Sequence, residues 1–229
     1  MNTVRQLAKK TFNEETQQVI KKNLNAVGLY TWPTKSYEVW LVLQHLLYLT
    51  RPQKLVEFGS GRSTNYLAEY ALKFKAPLIS FEHSLYYALT ANLCLKLSFL
   101  PTRIVKHAPI RGDWYDEKTV AKHLNQFGPF DFLFVDGPSE FNKIINRNSP
   151  KFSNIVLPFL RDVRLIVVDD VHREAVNALA WDLTKRYHLK RYDINYNQTN
   201  TLAFLLNEDY SPELLKLNSN LADLLVPVS

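Results

Sequence analysis

"KLVEFGSGRSTNYLAEYA", Lys54 to Ala71, sets a short apolar run ending in Glu57 directly against two glycines, Gly59 and Gly61, and then a helix-forming run from Ser63 to Phe74. The chain has only six glycines in 229 residues, so a pair this close answers a local demand. The apolar run reads as a strand, and the glycines mark a sharp strand-to-helix turn. Glycine there permits positive φ and lets a ligand approach main chain with no Cβ in the way. The unpaired N–H groups of the following helix point into the same space. Such a glycine pair also serves turns that bind nothing, so the neighbouring elements decide its meaning.

Working outward, strands and helices alternate. Strands are expected at 54–58, 77–82, 102–108, 130–137 and 164–170, with helices at 63–74, 84–100, 116–127 and 173–187. The runs 190–197 and 201–207, joined by "QTN", form an antiparallel pair, because so short a connection allows nothing else. The first, fourth and fifth strands are continuous apolar runs ending in carboxylates, the pattern of strands buried on both faces. This order predicts an α/β, doubly wound, mostly parallel seven-stranded sheet with an antiparallel edge hairpin. In such sheets ligands bind beyond the carboxyl ends of the strands. Five acids fall there: Glu57, Glu82, Asp136, Asp169 and Asp170.

Three regions are expected: an N-terminal helical extension (1–50), a core (51–207) and a C-terminal tail (208–229). Residues 1–28 read as one or two polar helices, "LYTWPTKS" as a loop, and Ser36 as the cap of a helix carrying Val39, Leu43, Leu46 and Leu47. The longest apolar stretch, Val39–Thr50, contains Gln44 and His45 and is shorter than a bilayer span, so no transmembrane segment is expected. The N-terminus lacks an apolar signal core and the single cysteine, Cys94, has no partner, which together suggest a cytoplasmic protein. The net charge of +6 is spread over short basic clusters interrupted by acids. That is the pattern of a solvated surface, and no nucleic-acid partner is expected.

The ligand class follows from the turn. A dinucleotide fold wants a third glycine where this chain has Thr64, and a carboxylate at Glu57 would repel a pyrophosphate. Glu57 instead suits an ammonium group. Glu82, 21 residues past Gly61, suits the two hydroxyls of a ribose. An amino-acid end, a ribose and no phosphate describe S-adenosylmethionine.

"VEFGSGRST" and "ISFEHS" resemble the first two motifs of the class I S-adenosylmethionine-dependent methyltransferases, and the likeness extends over residues 51–207. "HAPIRGDWYD", "FDFLFVDGP" and "LIVVDDVHREAVNALAW" resemble a bacterial small-molecule O-methyltransferase-like group within that class. The resemblance implies that Glu57, Gly59, Gly61 and Ser63, with Ser60 in the same turn, line the methionine end of the cofactor. It implies that Glu82 holds the ribose and that His83 or Ser84 flanks the adenine. Asp113 and Trp114 would lie around the adenine ring, with Trp114 either stacking on it or anchoring the core, and Asp136 would reach the cofactor too.

Asp136, Asp169 and Asp170 would repel one another if they converged, and a hard divalent ion such as Mg2+ relieves that repulsion. The catechol-type O-methyltransferases place a metal at the corresponding strand ends. The alternative is that Asp169 caps the next helix and Arg173 pairs with Asp136 or Asp170. The catalytic candidates are Asp136, Asp170 and His172, with His172 as general base because imidazole titrates near neutrality. Methyl transfer needs no covalent nucleophile, and Cys94, among leucines, is expected to be packed and inert.

The expected acceptor is a small molecule or a glycan precursor methylated on oxygen. Tyr30, Trp32, Tyr37 and Trp40 either line a lid or pack on the sheet. Lys143, Arg147 and Lys151, in the segment after "VDGP", are expected to meet an anionic group. This chain departs from the family there, with no glycine in 138–229. Leucines in the tail suggest self-association as a homodimer or packing on the core. A non-catalytic binding protein that keeps the fold is the competing reading.

Overall fold

The computed structural model describes residues 37–101, 103–139, 145–195, 200–210 and 226–228. The polar N-terminal helices, the "LYTWPTKS" loop with Tyr30 and Trp32, the Ser36 cap, Lys143 and most of the tail therefore lie outside the described residues. Helix α1 spans Tyr37–Thr50. It is followed by β1 (Leu55–Phe58), α2 (Arg62–Phe74), β2 (Leu78–Glu82), α3 (Leu85–Leu97) and β3 (Val105–His107). A small hairpin, β4 (Ile110–Arg111) and β5 (Trp114–Tyr115), leads to α4 (Glu117–Phe127) and β6 (Phe130–Val135). The chain continues through α5 (Pro150–Ile155), β7 (Leu160–Val168), α6 (Glu174–Arg186), β8 (Leu189–Asn195), β9 (Thr201–Asn207) and β10 (Val226–Pro227).

The main sheet runs β10-β8-β9-β7-β6-β1-β2-β3. Strands β3, β2, β1, β6 and β7 are parallel neighbours, so their carboxyl ends share one rim. Strand β9 pairs antiparallel with both β7 and β8. The seven expected strands are present, and the two-residue β10 adds an eighth beyond β8.

Successive residues of the central strands feed two separate cores, as a pleat with period two requires. Leu55, Phe132, Phe134, Leu165 and Val167 pack on one face against α1, α2 and α3 residues such as Leu43, Leu47, Leu67 and Leu95. Val56, Phe58, Leu133, Val135, Ile166 and Val168 pack on the other against Val120, Leu124, Val176 and Leu183. Strands apolar on both faces explain why β1, β6 and β7 read as unbroken hydrophobic runs. Trp40 takes the packing role, buried and stacked on Tyr66 with ring centroids 5.0 Å apart. Among the described residues no helix is long and apolar enough to cross a membrane.

Candidate functional site

The turn between β1 and α2 is the hub of the rim. Gly59 has φ +94°, and a Cβ there would stand 2.7 Å from the carbonyl carbon of Asp136 and 2.8 Å from the amide of Gly137. Gly137 faces it: a Cβ on Gly137 would lie 2.8 Å from the Cα of Gly59 and would collide with the Tyr115 hydroxyl. Two bare glycines thus let the loops after β1 and β6 touch main chain to main chain. Gly61 differs, for its backbone is extended and no atom stands within 4 Å of where its Cβ would be. Of the two glycines in the opening stretch, Gly59 answers a packing demand and Gly61 borders open space.

Both acids expected to hold ligand are bound to this turn. Glu57 is fully buried, and Thr64 donates its hydroxyl to Oε2 at 2.7 Å while accepting from the Gly61 amide at 2.9 Å. Thr64, noted in the sequence only as a missing glycine, therefore links Glu57 to the turn. Glu82 is 3% exposed, and its Oε2 accepts from the Ser60 amide at 3.0 Å and the Ser60 hydroxyl at 3.1 Å. Its Oε1 accepts from the Ser84 amide at 2.8 Å and lies 3.0 Å from His83 Nδ1. Glu57 and Glu82, on adjacent parallel strands, thus reach the same loop from two sides. Ser63 is buried at the first turn of α2.

The hairpin β4–β5 holds the next candidates. Trp114 is fully buried, against Phe58 at 5.6 Å and Phe152 at 6.0 Å between centroids, so it anchors the core instead of offering a face to an adenine ring. Asp113, at the hairpin tip, lies 3.1 Å from Lys151 Nζ. A hydrogen bond from Ser149, helped by Lys151, holds its carboxyl below the usual range. Its charge is engaged by the α5 segment, not held open for a nucleoside. Tyr115, wholly enclosed, has its hydroxyl pushed well above the ordinary tyrosine range by burial, and then by the nearby Glu82.

The second cluster forms as expected in position. Asp136 follows β6, Asp169 and Asp170 follow β7, and one oxygen from each lies within 4.8 Å of the others. The cation beside them is Arg147, and the anionic group it meets is the protein's own. Arg147, 2% exposed, donates from Nη2 to Asp170 Oδ2 at 3.2 Å and lies 3.8 Å from Asp136 Oδ1. It also donates to the main-chain carbonyls of Pro138 and Asp169, at 3.1 and 3.0 Å. Arg173 adds a second contact to Asp170 Oδ2 at 3.3 Å. Lys151 likewise meets protein acids, Asp113 and Glu117, at 3.1 and 3.3 Å. The basic residues of this segment that are described therefore neutralise the protein's own carboxylates. Asp169 does not cap the next helix, whose N-cap is Arg173. His172 is exposed in the turn between β7 and α6. Cys94 is buried, which raises its thiol pKa and makes it inert.

An all-carboxylate donor set at this spacing fits a hard divalent ion. The two arginines already supply part of the positive charge such an ion would bring.

No family model and no curated protein matches this sequence. Solved structures do match. An O-methyltransferase from Bacillus cereus, in complex with S-adenosylhomocysteine, is 15% identical with TM-score 0.59, covering 83% of this chain and 91% of its own. The O-methyltransferase TomG from Streptomyces achromogenes, in complex with S-adenosylmethionine, is 18% identical with TM-score 0.57, covering 82% and 89%. The methyltransferase PaMTH1 from Podospora anserina, bound to S-adenosylhomocysteine, is 15% identical with TM-score 0.57, covering 86% and 97%. With its strand order and its antiparallel β8–β9 pair, the chain has the Rossmann-like methyltransferase fold.

Proposed function

We propose that the protein is an S-adenosylmethionine-dependent methyltransferase acting on an oxygen of a small molecule or a glycan precursor. The observation that carries this reading is the convergence of Glu57 and Glu82 on the Gly59–Ser60–Gly61 turn, with open space at Gly61. Glu57, placed by Thr64, would attract the ammonium of a methionine moiety. Glu82 would accept from ribose hydroxyls through lone pairs that Ser60 and Ser84 leave in place, with His83 beside it.

The cofactor, when bound, supplies an activated methyl group, so the protein's task is alignment and removal of one proton from the acceptor. Asp136, Asp169 and Asp170 would hold a divalent ion, whose chemistry there is to polarise an acceptor hydroxyl. Arg147 and Arg173 fix the carboxylate of Asp170. His172 has no ion pair among the described residues, and its ring nitrogen would take the proton of the acceptor hydroxyl.

The test is calorimetry with S-adenosylmethionine and S-adenosylhomocysteine, followed by transfer assays over hydroxylated acceptors with and without Mg2+. Saturable binding of both nucleosides is expected. No heat at millimolar ligand ends the proposal, and binding with no transfer to any acceptor leaves a cofactor-binding protein.

A further inference from the structure

Helix α3 is apolar nearly all round. One face packs Ala88, Ala91 and Leu95 into the core. The other leaves Leu85, Leu89, Leu93 and Leu97 at 50–65% exposure, spaced four residues apart as a continuous stripe, with Tyr86 71% exposed beside it. A face of this kind on a surface helix marks an interaction site.

The end of the helix carries the second observation. Leu100 donates its amide to the Leu95 carbonyl at 2.9 Å and Phe99 donates to the Lys96 carbonyl at 3.1 Å. This double bond pattern places Phe99 at the left-handed position of the helix terminus, which is ordinarily glycine. Phe99 has φ +56° and is 92% exposed. A bulky ring in that conformation is an outlier, and within the fold it gains almost no packing in return. Its benefit has to come from outside the fold.

Charge identifies the partner. From His83 to Gly112 the sequence has no acid, while Lys96, Arg103 and Lys106 lie along or just beyond the stripe. Among the described residues neither Lys96 nor Arg103 has an acidic partner. A second copy of the chain laid on this face would set these cations against one another. An apolar stripe with an aromatic tip, in a stretch of chain that carries cations and no acid, matches the boundary between headgroups and acyl chains of an anionic bilayer. We infer that α3 and Phe99 form an interfacial docking surface for anionic membranes, with the helix lying in the membrane plane. Its N-cap Ser84 is two residues from Glu82, so docking would hold the mouth of the candidate site close to the lipid surface. This inference does not depend on the methyltransferase reading.

The experiment is vesicle co-sedimentation of the full chain, with vesicles of phosphatidylcholine alone or with about 30% phosphatidylglycerol. Wild-type protein is expected to bind the anionic vesicles and release at high salt. Phe99→Asn and Leu89→Asp should each weaken binding about tenfold, and Lys96→Gln about fivefold. Asparagine tolerates the left-handed conformation, so Phe99→Asn should fold at least as well as wild type. Failure of wild type to bind the anionic vesicles overturns the inference. So does a concentration-dependent dimer that Leu89→Asp abolishes, which would assign the stripe to a second copy. A marked loss of thermal stability in Leu89→Asp without vesicles also overturns it, by showing that a segment of the chain itself covers the stripe.

Discussion

The carboxylate of Glu82 holds Ser60 twice through a single oxygen, taking the amide at 3.0 Å and the hydroxyl at 3.1 Å. The end of β2 therefore sets the shape of the turn after β1 before any ligand arrives. Glu82→Gln keeps the length of the side chain but removes its charge. Affinity for S-adenosylhomocysteine is expected to fall by about 1–3 kcal/mol, the range for a lost charge-assisted hydrogen bond. Ser60→Ala, which leaves the amide contact intact, should cost less than about 1 kcal/mol in the same titration. Equal losses in the two variants would mean that Glu82 acts only by shaping the turn.

The two glycines of that turn separate structure from function. Gly59→Ala forces a Cβ to within 2.7 Å of the Asp136 carbonyl carbon at φ +94°. It is expected to destabilise the fold by about 2–4 kcal/mol in denaturant titration. Gly61→Ala meets no atom within 4 Å and needs no unusual φ. Its stability should stay within about 0.5 kcal/mol of wild type. A methyl group there would intrude on bound nucleoside, so cofactor affinity should drop about tenfold, roughly 1.4 kcal/mol. Unchanged affinity would move the ligand away from Gly61.

Much of this was legible in the sequence, for identifiable reasons. Strands β1, β6 and β7 are buried on both faces and so announce themselves as apolar runs ending in acids. These acids then fall on one rim, because helical connections make β2, β1, β6 and β7 parallel, although the sheet sets Glu57 between Glu82 and Asp136 and so does not keep their chain order. The β4–β5 hairpin was not legible, since two-residue strands around Gly112 carry no periodicity. The start of β7 at Leu160 was hidden too, because Arg161, Asp162 and Arg164 make the exposed end of the strand look like loop. The sequence points Arg147 only to some anionic group, because partners 22 and 23 residues away leave no local trace. The repulsion among three converging acids was the available signal, and it called for a cation without naming one.

Alongside the enclosed Tyr115, Tyr70 contributes to stability at high pH. Its hydroxyl donates to the Pro52 carbonyl at 2.9 Å, and burial, ahead of the neighbouring charges, pushes its pKa up to about 12. The unfolded chain loses this proton near the ordinary tyrosine value, about 10. The contribution is therefore complete below pH 10 and declines as pH rises toward 12, because the unfolded state then binds fewer protons than the folded one. A loss on the order of 2 kcal/mol is expected across that window. Tyr70→Phe should make this part of the profile shallower while lowering neutral-pH stability by about 1 kcal/mol. A variant as pH-sensitive as wild type would assign the loss to other groups.

Arg147 gives the sharpest test of the second cluster. Arg147 is 2% exposed and touches Asp170 and Asp136, so its removal leaves the buried Asp170 and the half-buried Asp136 facing one another with only Arg173 beside Asp170. Breaking a buried pair in this way costs about 3–5 kcal/mol. Arg147→Met should therefore unfold at distinctly lower denaturant when a chelator is present. A divalent ion bound by Asp136, Asp169 and Asp170 would restore the missing positive charge. Millimolar Mg2+ or Mn2+ should then recover a large part of the lost stability in the variant and have a smaller effect on wild type, where the arginine competes for the same oxygens. Manganese electron paramagnetic resonance reads the same contest directly, with more bound ion in Arg147→Met than in wild type. Equal metal effects on both proteins would show that guanidinium and ion do not share the site, and no metal effect on either would leave the arginines as the cluster's own counter-ions.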